Sequence, residues 1–136
     1  TEYTQQRVQF GKPVAKFQAM QFKMADMAIK ANAARWMAYH AAWLKDQGLK
    51  VTREAAMAKC FASDMAMEVT IEAIQCHGGY GYSMEYPLEK LLRDAKIHQI
   101  YEGTNEIMRM VVARELFKRG LWMPFEEIEQ AVGTAS

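Results

Sequence analysis

The chain has 136 residues, of which 51% are hydrophobic and 24% charged, and its formal net charge at pH 7 is +1. This length fits one domain, and the apolar fraction is sufficient for a hydrophobic core. The near-neutral charge argues against a nucleic-acid partner, because such proteins usually carry a basic excess or patch. The composition also excludes an intrinsically disordered segment.

No apolar run reaches the length of about 18–20 residues that a membrane helix needs, and no secretory signal opens the sequence. We therefore predict no membrane association. Cys60 and Cys76 fall within one predicted helix, where a rise of about 1.5 Å per residue places them roughly 24 Å apart. A disulfide cannot span that distance, so we expect free thiols in a reducing compartment.

The chain begins with what reads as the end of a helix over residues 3–9, closed by a turn at Phe10-Gly11-Lys12-Pro13. This start suggests a fragment of a longer chain. A long helix is then predicted up to Gly48, because apolar residues recur at alternating spacings of three and four, as in a coiled-coil seam. The seam consists of Phe17, Met20, Met24, Met27, Ala31, Ala34, Ala38 and Ala41.

A second long helix is predicted from Thr52 to about His77, with Thr52 as its N-cap and Glu54 in its first turn. The short connection at Gly48 makes the two long helices antiparallel neighbours. The apolar stripe of this second helix consists of Ala58, Phe61, Met65, Val69, Ala73 and Cys76.

A glycine-aromatic loop follows at residues 78–82, and Pro87 then starts a short helix. Thr104 caps a last long helix, which Gly120 ends and Pro124 keeps from continuing at once. Its stripe consists of Ile107, Met108, Val111, Val112 and Leu116. No strand pattern competes with these helices. The sequence therefore predicts an all-α, up-and-down four-helix bundle with a short extra C-terminal helix.

Several common kinds of catalytic site are excluded by spacing. A di-iron bundle needs Glu-x-x-His twice, and none of His40, His77 and His98 has an acidic residue three positions before it. We therefore predict no metal site. Asp94 and His98 are four residues apart, a spacing typical of surface pairing on a helix. Neither a nucleophile elbow nor a phosphate-binding loop occurs.

Two loops remain candidates for function. Gln75-Cys-His-Gly-Gly79 lies at a helix C-terminus, where glycine serves either as a simple C-cap or as a place for a ligand to approach the backbone. Glu102 stands just before a helix N-terminus, so it is either a capping carboxylate or a general base. Burial would raise its pKa and the helix N-terminus would lower it.

Six motifs occur in a fixed order along the chain. They are Arg7-x-Gln9-Phe10-Gly11-Lys12-Pro13, Phe17-Gln18, Gln75-x-x-Gly78-Gly79-x-Gly81, Glu85-Tyr86-Pro87-x-Glu89, Arg93-Asp94-Ala95 and Ile100-Tyr101-Glu102-Gly103-Thr104-Asn105-Glu106-Ile107. Together they resemble the C-terminal helical domain of the flavin-dependent acyl-CoA dehydrogenases, over about residues 3–120. The combination is specific, although the Tyr-Glu-Gly-Thr element alone would be weak.

The resemblance implies a reaction. Enzymes of this family remove the α-proton of an acyl-CoA thioester with a glutamate while the β-hydride passes to flavin, giving trans-2-enoyl-CoA. Glu102 matches that catalytic base, in an apolar pocket closed by the substrate, and its backbone N–H would help polarise the thioester carbonyl. Because isovaleryl and long-chain members carry the base on an earlier helix, Glu102 implies a short-, medium- or short-branched-chain type.

The resemblance also implies binding roles for other residues. Arg7, Gln9 and Phe10 match contacts with the FAD of the neighbouring subunit, and Gln75 and Gly79 match further contacts across that interface. Two more residues match positions beside the cofactor, and another two line the acyl-thioester pocket. The cofactor-side pair is Gln18 and Thr104, and the pocket pair is Tyr101 and Gly103.

Residues 1–136 would then be the C-terminal domain of an enzyme whose N-terminal helical and middle β-domains are absent, so the isolated domain should show no turnover. The implied partners are an acyl-CoA substrate, an electron-transferring flavoprotein as acceptor, and further copies of the chain in a dimer of dimers. The implied location is the bacterial cytoplasm or the mitochondrial matrix. Two alternatives remain open: a non-catalytic helical interaction module, and a relative resembling acyl-CoA oxidase.

Overall fold

The computed structural model describes residues 1–120 and 125–133, together with the side chains of these residues other than 125, 131 and 132. The described chain is almost entirely helical, which confirms the predicted all-α class. In chain order the elements are α1 (Glu2–Gln6), β1 (Val8–Gln9), β2 (Lys12–Pro13), a 3-10 turn (Val14–Lys16), α2 (Gln18–Asp46), α3 (Thr52–His77), α4 (Gly79–Tyr82), α5 (Leu88–His98), α6 (Asn105–Arg119) and α7 (Phe125–Gly133).

The four longest helices form the predicted bundle, and α3 lies at its centre. Helix α3 packs against α2, α6 and α5. The connection from α2 to α3 turns at Gly48, whose φ of 75° is in the left-handed region that glycine tolerates best. Helix α7 supplies the predicted extra C-terminal helix, and Glu127 on it forms an ion pair with Arg119 at 3.1 Å.

The first turn of the chain is a small β-hairpin, which the sequence did not predict as strands. Helix α1 ends at Gln6, and the two short strands pair antiparallel, with Val8 opposite Pro13. Phe10 and Gly11, at the tip, have φ values of 52° and 79°. Two consecutive positive φ values are the requirement of the type I′ turn, whose twist suits a two-residue hairpin. The turn predicted at Phe10-Gly11 is therefore confirmed, and it holds the Phe10 side chain 92% exposed.

The seam predicted for α2 is right over its first half and drifts over its second. Met20, Met24 and Met27 are partly buried and Ala34 and Ala41 fully buried, as expected, but two other members of the seam are exposed. The exposed members are Ala31 and Ala38, and the core positions that the seam omitted are Met37 and Leu44. A strict heptad repeat drifts by about 20° per heptad from the 3.6-residue turn of a straight helix. The error therefore grows along the helix.

Helix ends were predicted with mixed success. Thr104 caps α6, its hydroxyl accepting from the backbone N–H of Ile107 at 3.4 Å, and Gly120 ends that helix with a φ of 77°. Pro87 is the N-cap of α5, whereas it was predicted to be the first helical residue, so the helix begins one residue later, at Leu88. The assignment of Thr52 as N-cap is wrong, because Val51 occupies that position and Thr52 is already helical. Pro124 lies outside the described residues.

The start of α3 is fixed by a tertiary contact instead of a local cap. Arg53, 3% exposed, donates from Nη1 to the carbonyl oxygen of Gly120 at 2.5 Å, and from Nε and Nη2 to Oε1 of Glu54 at 2.8 and 2.6 Å. Glu54 is thus a buried ion-pair partner, beyond the first-turn role that was predicted. These contacts tie the first turn of α3 to the end of α6.

Cys60 and Cys76 both lie on α3 and neither is in a disulfide, as predicted. Burial raises the pKa of both thiols. Among residues 1–120 and 125–133, no helix combines the length and apolar character needed to cross a membrane. The same residues contain no group of three His, Cys, Asp or Glu side chains able to hold a metal ion.

Candidate functional site

One candidate site is a cleft of about 640 Å³ where α1, the hairpin and the C-terminal end of α3 meet. Arg7, Gln9, Gln75 and Gly79 all line it, although almost seventy residues separate the two pairs along the chain. Four of the seven residues assigned to the cofactor are thus brought together. We call this the Arg7 cleft.

Arg7 is held in the Arg7 cleft through its backbone and presents its guanidinium to solvent. Its N–H donates to the carbonyl of Tyr3 at 2.8 Å, and its carbonyl accepts from Val14 at 2.8 Å. The guanidinium carbon lies 5.2 Å from the centre of the Tyr80 ring, within cation–π range. Among the described residues Arg7 forms no ion pair, so its charge is available to an anion from outside the chain.

An aromatic cluster forms the wall of the Arg7 cleft, and sequence reasoning missed it. The rings of Tyr3 and His77 stack with centroids 4.1 Å apart, and the Tyr3 hydroxyl donates to the His77 carbonyl at 3.2 Å. Tyr86 packs edge-on against Tyr3 at 5.7 Å, and Tyr80 packs against Tyr86 at 5.9 Å. The only signal was the run of tyrosines around the glycine loop. This cluster fixes α1, and with it Arg7, against the end of α3.

The structural constraint that favours glycine differs between Gly78, Gly79 and Gly81. Gly78 ends α3 with a φ of 60°, so the C-cap interpretation holds there. A Cβ on Gly81 would lie 2.6 Å from the carbonyl oxygen of Ile74, so α4 can pack against α3 only with glycine at that position. Gly79 has no positive φ and a Cβ there would meet nothing within 4 Å. No contact within the described chain requires glycine at Gly79, so it fits the close approach of an external group.

The second candidate site is the connection between α5 and α6, which contains Glu102. Glu102 has a φ of 55° and Gly103 a φ of 93°, so two consecutive residues are left-handed. Such a conformation is unfavourable for a residue with a side chain and is typical of functional loops. A Cβ on Gly103 would lie 2.5 Å from Cε of Met108.

Glu102 borders a cavity of about 430 Å³, whose α3 wall includes Ala62 and Ala66 and whose rim includes Tyr101. The Glu102 side chain is exposed on this chain. The resemblance implied instead that this side chain is enclosed in a pocket of the enzyme. Within the described residues Glu102 has no hydrogen-bond or ion-pair partner. Glu106 is the carboxylate at the start of α6, where its own backbone N–H and the Thr104 hydroxyl lower its pKa. The capping alternative for Glu102 is therefore wrong.

His98 contacts Tyr101 instead of Asp94. The Tyr101 hydroxyl is hydrogen-bonded to Nδ1 of His98, and the two rings meet edge-to-face with centroids 5.1 Å apart. Asp94 forms an ion pair with Lys90, so the predicted pairing of Asp94 with His98 is wrong. The contact places the Tyr101 ring at the rim of the cavity.

A partly buried polar cluster lies between α3 and the Glu102 loop, and sequence reasoning did not find it. It consists of Lys59, Ser63 and Asp64 on α3, Gln99 at the end of α5, and Asn105 and Arg109 on α6. We call it the α3 cluster. The available signal was a group of polar residues, at positions 59, 63 and 64, among the small and apolar residues in the middle of α3.

The remaining residues assigned to the cofactor do not line the Arg7 cleft. Phe10 is at the hairpin tip, its ring edge-on to Phe17 at 6.3 Å, and Gln18 follows as the exposed first residue of α2. Thr104 caps α6 beside Gly103 in the other candidate site. The described chain thus presents the predicted cofactor residues as separate patches.

Residues 1–117 match the family model described as acyl-CoA dehydrogenase, C-terminal domain. An acyl-CoA dehydrogenase of Bacillus subtilis is 56% identical over 115 residues, which are 85% of this chain and 30% of that protein. The solved structure of butyryl-CoA dehydrogenase from Megasphaera elsdenii matches with a TM-score of 0.84 and 57% identity, over 85% of this chain and 30% of that one. A chain in the structure described as the electron transferring flavoprotein of Acidaminococcus fermentans matches with a TM-score of 0.85 and 58% identity, over 86% and 31%. The chain therefore spans about a third of the length of these relatives.

Proposed function

The chain belongs to the acyl-CoA dehydrogenase family, as its C-terminal domain, and from this premise we propose the activity of the whole protein. It is an FAD-dependent acyl-CoA dehydrogenase that converts acyl-CoA thioesters to trans-2-enoyl-CoA, and residues 1–136 are its C-terminal, base-bearing domain. The N-terminal helical and middle β-domains lie outside this sequence. The observation that carries the proposal is the carboxylate of Glu102, which has no partner among the described residues and lies beside a cavity, in a turn with a left-handed backbone.

Glu102 takes the α-proton of the thioester. A general base must reach the proton before its pKa matters, and the side chain is unpaired and exposed beside the cavity. The backbone N–H of Glu102 donates to no acceptor within the described residues, which leaves it available to the thioester carbonyl. A donor aimed there stabilises the negative charge that develops on oxygen as the proton leaves.

Bound substrate tunes this carboxylate. An acyl chain that fills the cavity displaces water from Glu102, and desolvation raises the pKa of a carboxyl group towards the basicity that proton abstraction requires. Tyr101 and Gly103 flank the thioester. Glycine at 103 allows the φ of 93°, and the Tyr101 ring, held by His98, closes the rim.

FAD, when bound, supplies the acceptor for the β-hydride. Arg7 is suited to its pyrophosphate, because the guanidinium donates in a planar fork that matches phosphate oxygens. Gln9, Gln75 and the open backbone at Gly79 lie in the same cleft and would supply polar contacts. The exposed Phe10 ring projects from the same end of the chain. We assign these five residues to the FAD of a neighbouring subunit, and Gln18 and Thr104 to positions beside the cofactor.

The same premise extends to partners and location. The protein assembles as a dimer of dimers, in which the Arg7 cleft of one subunit faces the cofactor of the next. Its electron acceptor is an electron-transferring flavoprotein, a proposal supported by the similarity to a chain in the Acidaminococcus fermentans structure. Bacterial relatives favour the bacterial cytoplasm over the mitochondrial matrix.

Substitution Glu102→Gln in the full-length protein tests the function. The variant should keep its FAD and its thermal midpoint but lose the bleaching of flavin absorbance that butyryl-CoA produces without oxygen. Glu106→Gln is the matched control, since it removes the same charge four positions further along the chain, from a carboxylate in the first turn of α6. It should bleach normally. Unchanged bleaching in Glu102→Gln would contradict the proposal and favour a non-catalytic helical module. Rapid reoxidation of the reduced flavin by oxygen would instead identify a protein resembling acyl-CoA oxidase.

A further inference from the structure

The Glu102 loop is held in an unfavourable backbone conformation. Glu102 and Gly103 are both left-handed, and Glu102 carries a side chain, so the loop does not adopt this shape by local preference. Its ends meet through one backbone hydrogen bond, from the N–H of Asn105 to the carbonyl of Gln99 at 3.0 Å. Other contacts must determine the path between those two residues.

Those contacts come from α3. The ammonium of Lys59 donates to the Gly103 carbonyl at 2.6 Å and to Oδ1 of Asn105 at 2.8 Å. The first bond holds the peptide between Gly103 and Thr104, one residue beyond Glu102. It draws the Gly103 carbonyl towards α3, and the Glu102 side chain is then left to project at the cavity.

Asp64 holds both ends of the loop. Its Oδ1 accepts from Nε2 of Gln99 at 2.6 Å, before the loop, and from Nδ2 of Asn105 at 2.7 Å, after the loop. Its Oδ2 accepts from Arg109 at 2.5 Å. Burial of Asp64 opposes ionisation, but the hydrogen bonds from Gln99, Arg109 and Asn105 outweigh it and hold the pKa of the carboxyl below its ordinary value.

Asn105 joins the two halves of the α3 cluster. Its side chain is 3% exposed, and its amide nitrogen also donates to the Ser63 hydroxyl at 2.7 Å. Buried polar groups without partners are costly, whereas a fully paired network defines one geometry. An apolar set of side chains could support the packing of α3 against α6, but it could not direct the Gly103 carbonyl.

We propose that Lys59, Asp64 and Asn105 are positioning residues, which hold the loop in the conformation that aims Glu102 at the α-carbon of the substrate. This inference rests on the proposed function, because it assigns Glu102 the role of base. Lys59 also lines the cavity beside Glu102, but its ammonium is bonded to the Gly103 carbonyl and to Asn105. In this scheme none of the three touches the reacting atoms. They act through the backbone on either side of Glu102.

The test is Lys59→Met in the full-length protein, since methionine keeps most of the side-chain volume and removes the donor. Misdirection of the base slows proton abstraction and leaves CoA binding intact. We therefore expect kcat with butyryl-CoA to fall about 10- to 100-fold, as a misplacement near 1 Å does, with KM changed less than about threefold. Deuterium at the α-carbon should reduce the rate more strongly than in the parent protein. Amide hydrogen exchange across residues 99–105 should accelerate.

The matched control is Lys30→Met, which removes an ion pair between α2 and α3, at 2.5 Å to Glu68, and no hydrogen bond to the loop. It should leave kcat, the isotope effect and exchange across residues 99–105 unchanged. Lys59→Arg, which keeps a donor and a positive charge, should recover part of the rate lost in Lys59→Met. A purely structural lysine would instead lower FAD content or the thermal midpoint and leave the isotope effect unchanged.

Asp64→Asn is the second variant, because it presents an amide N–H where the loop has donors and should give the same pattern. If Lys59→Met does not fold, the kcat and the isotope effect of Asp64→Asn test the inference. Variants that fold, bind FAD and show the parent kcat and isotope effect would overturn the inference. Failure of the proposed function is distinguishable: there Glu102→Gln would bleach normally, whatever the Lys59 variants do.

Discussion

The Arg7 cleft and the Glu102 loop are built in opposite ways. The Arg7 cleft gathers residues that are far apart in the chain, stabilises them with aromatic packing, and leaves its functional groups exposed. The Glu102 loop is continuous in sequence, but its conformation depends on partly buried hydrogen bonds from α3. A surface that binds an anion from outside must stay accessible, whereas a base must be held in one place.

This contrast predicts different kinds of failure at the two sites. Changes in the Arg7 cleft should weaken retention of FAD while the fold stays intact. Changes at the Glu102 loop should slow chemistry while FAD remains bound. In the full-length protein, loss of FAD from a Glu102-loop variant, or slow chemistry with bound FAD in an Arg7-cleft variant, would contradict this contrast.

The largest effect is expected from Glu102→Gln. Removing a general base typically costs about 10²- to 10⁴-fold in rate, so kcat should fall by at least that range with FAD content unchanged. Stopped-flow absorbance of the flavin with butyryl-CoA measures it. Loss of FAD from this variant would place Glu102 in the cofactor-binding surface instead.

Arg7→Ala should act on binding. A charge-assisted hydrogen bond to phosphate contributes about 1.5–3 kcal/mol, which corresponds to about a 10- to 100-fold weaker affinity for FAD. Titration of the apoprotein with FAD, followed by flavin fluorescence, measures the change. Arg35→Ala, which removes an exposed arginine from α2, is the control and should bind FAD as the parent does. Equal affinity in the two variants would remove Arg7 from the cofactor site.

Two glycine substitutions distinguish the sites by stability. Gly103→Ala should lower the free energy of unfolding by about 1–3 kcal/mol, because alanine is strained at a φ of 93° and its Cβ would meet Met108 at 2.5 Å. Gly79→Ala should leave stability almost unchanged, since its Cβ meets nothing, and should weaken FAD binding. Thermal melts of the two variants, paired with FAD titration, check both expectations. A destabilised Gly79→Ala would show that the chain itself needs this glycine.

The smallest expected effect is on the stability of the protein at acidic pH. The pKa of Asp64 is below its ordinary value of 3.8 in the folded protein. The stability that its ionised form contributes is therefore fully present above pH of about 4, and is lost as the pH falls through the lower folded value. In Asp64→Asn this part of the pH dependence should disappear. Thermal midpoints between pH 2.5 and 5 measure it, and identical slopes in parent and variant would contradict it.

The helices could be predicted from sequence because their signals are local. Thr104, Gly48 and Gly120 mark ends through backbone conformations and caps that depend on a few neighbouring residues. The start of α3 could not, since the buried contact of Arg53 with Gly120 joins residues 67 positions apart. The α2 seam failed at Ala31 and Ala38 because a small periodic error accumulates over a long helix.

The two candidate sites show the same division. The six motifs together were sufficient to indicate the family, since the chemistry depends on residue type and order, and Glu102 as the base stays a prediction. Only the tertiary structure decided that Glu102 has no partner among the described residues, and that Lys59 and Asp64 reach the loop. Hydrogen bonds between residues more than thirty positions apart leave no periodic trace in a sequence, because they depend on how helices pack and not on how each one forms.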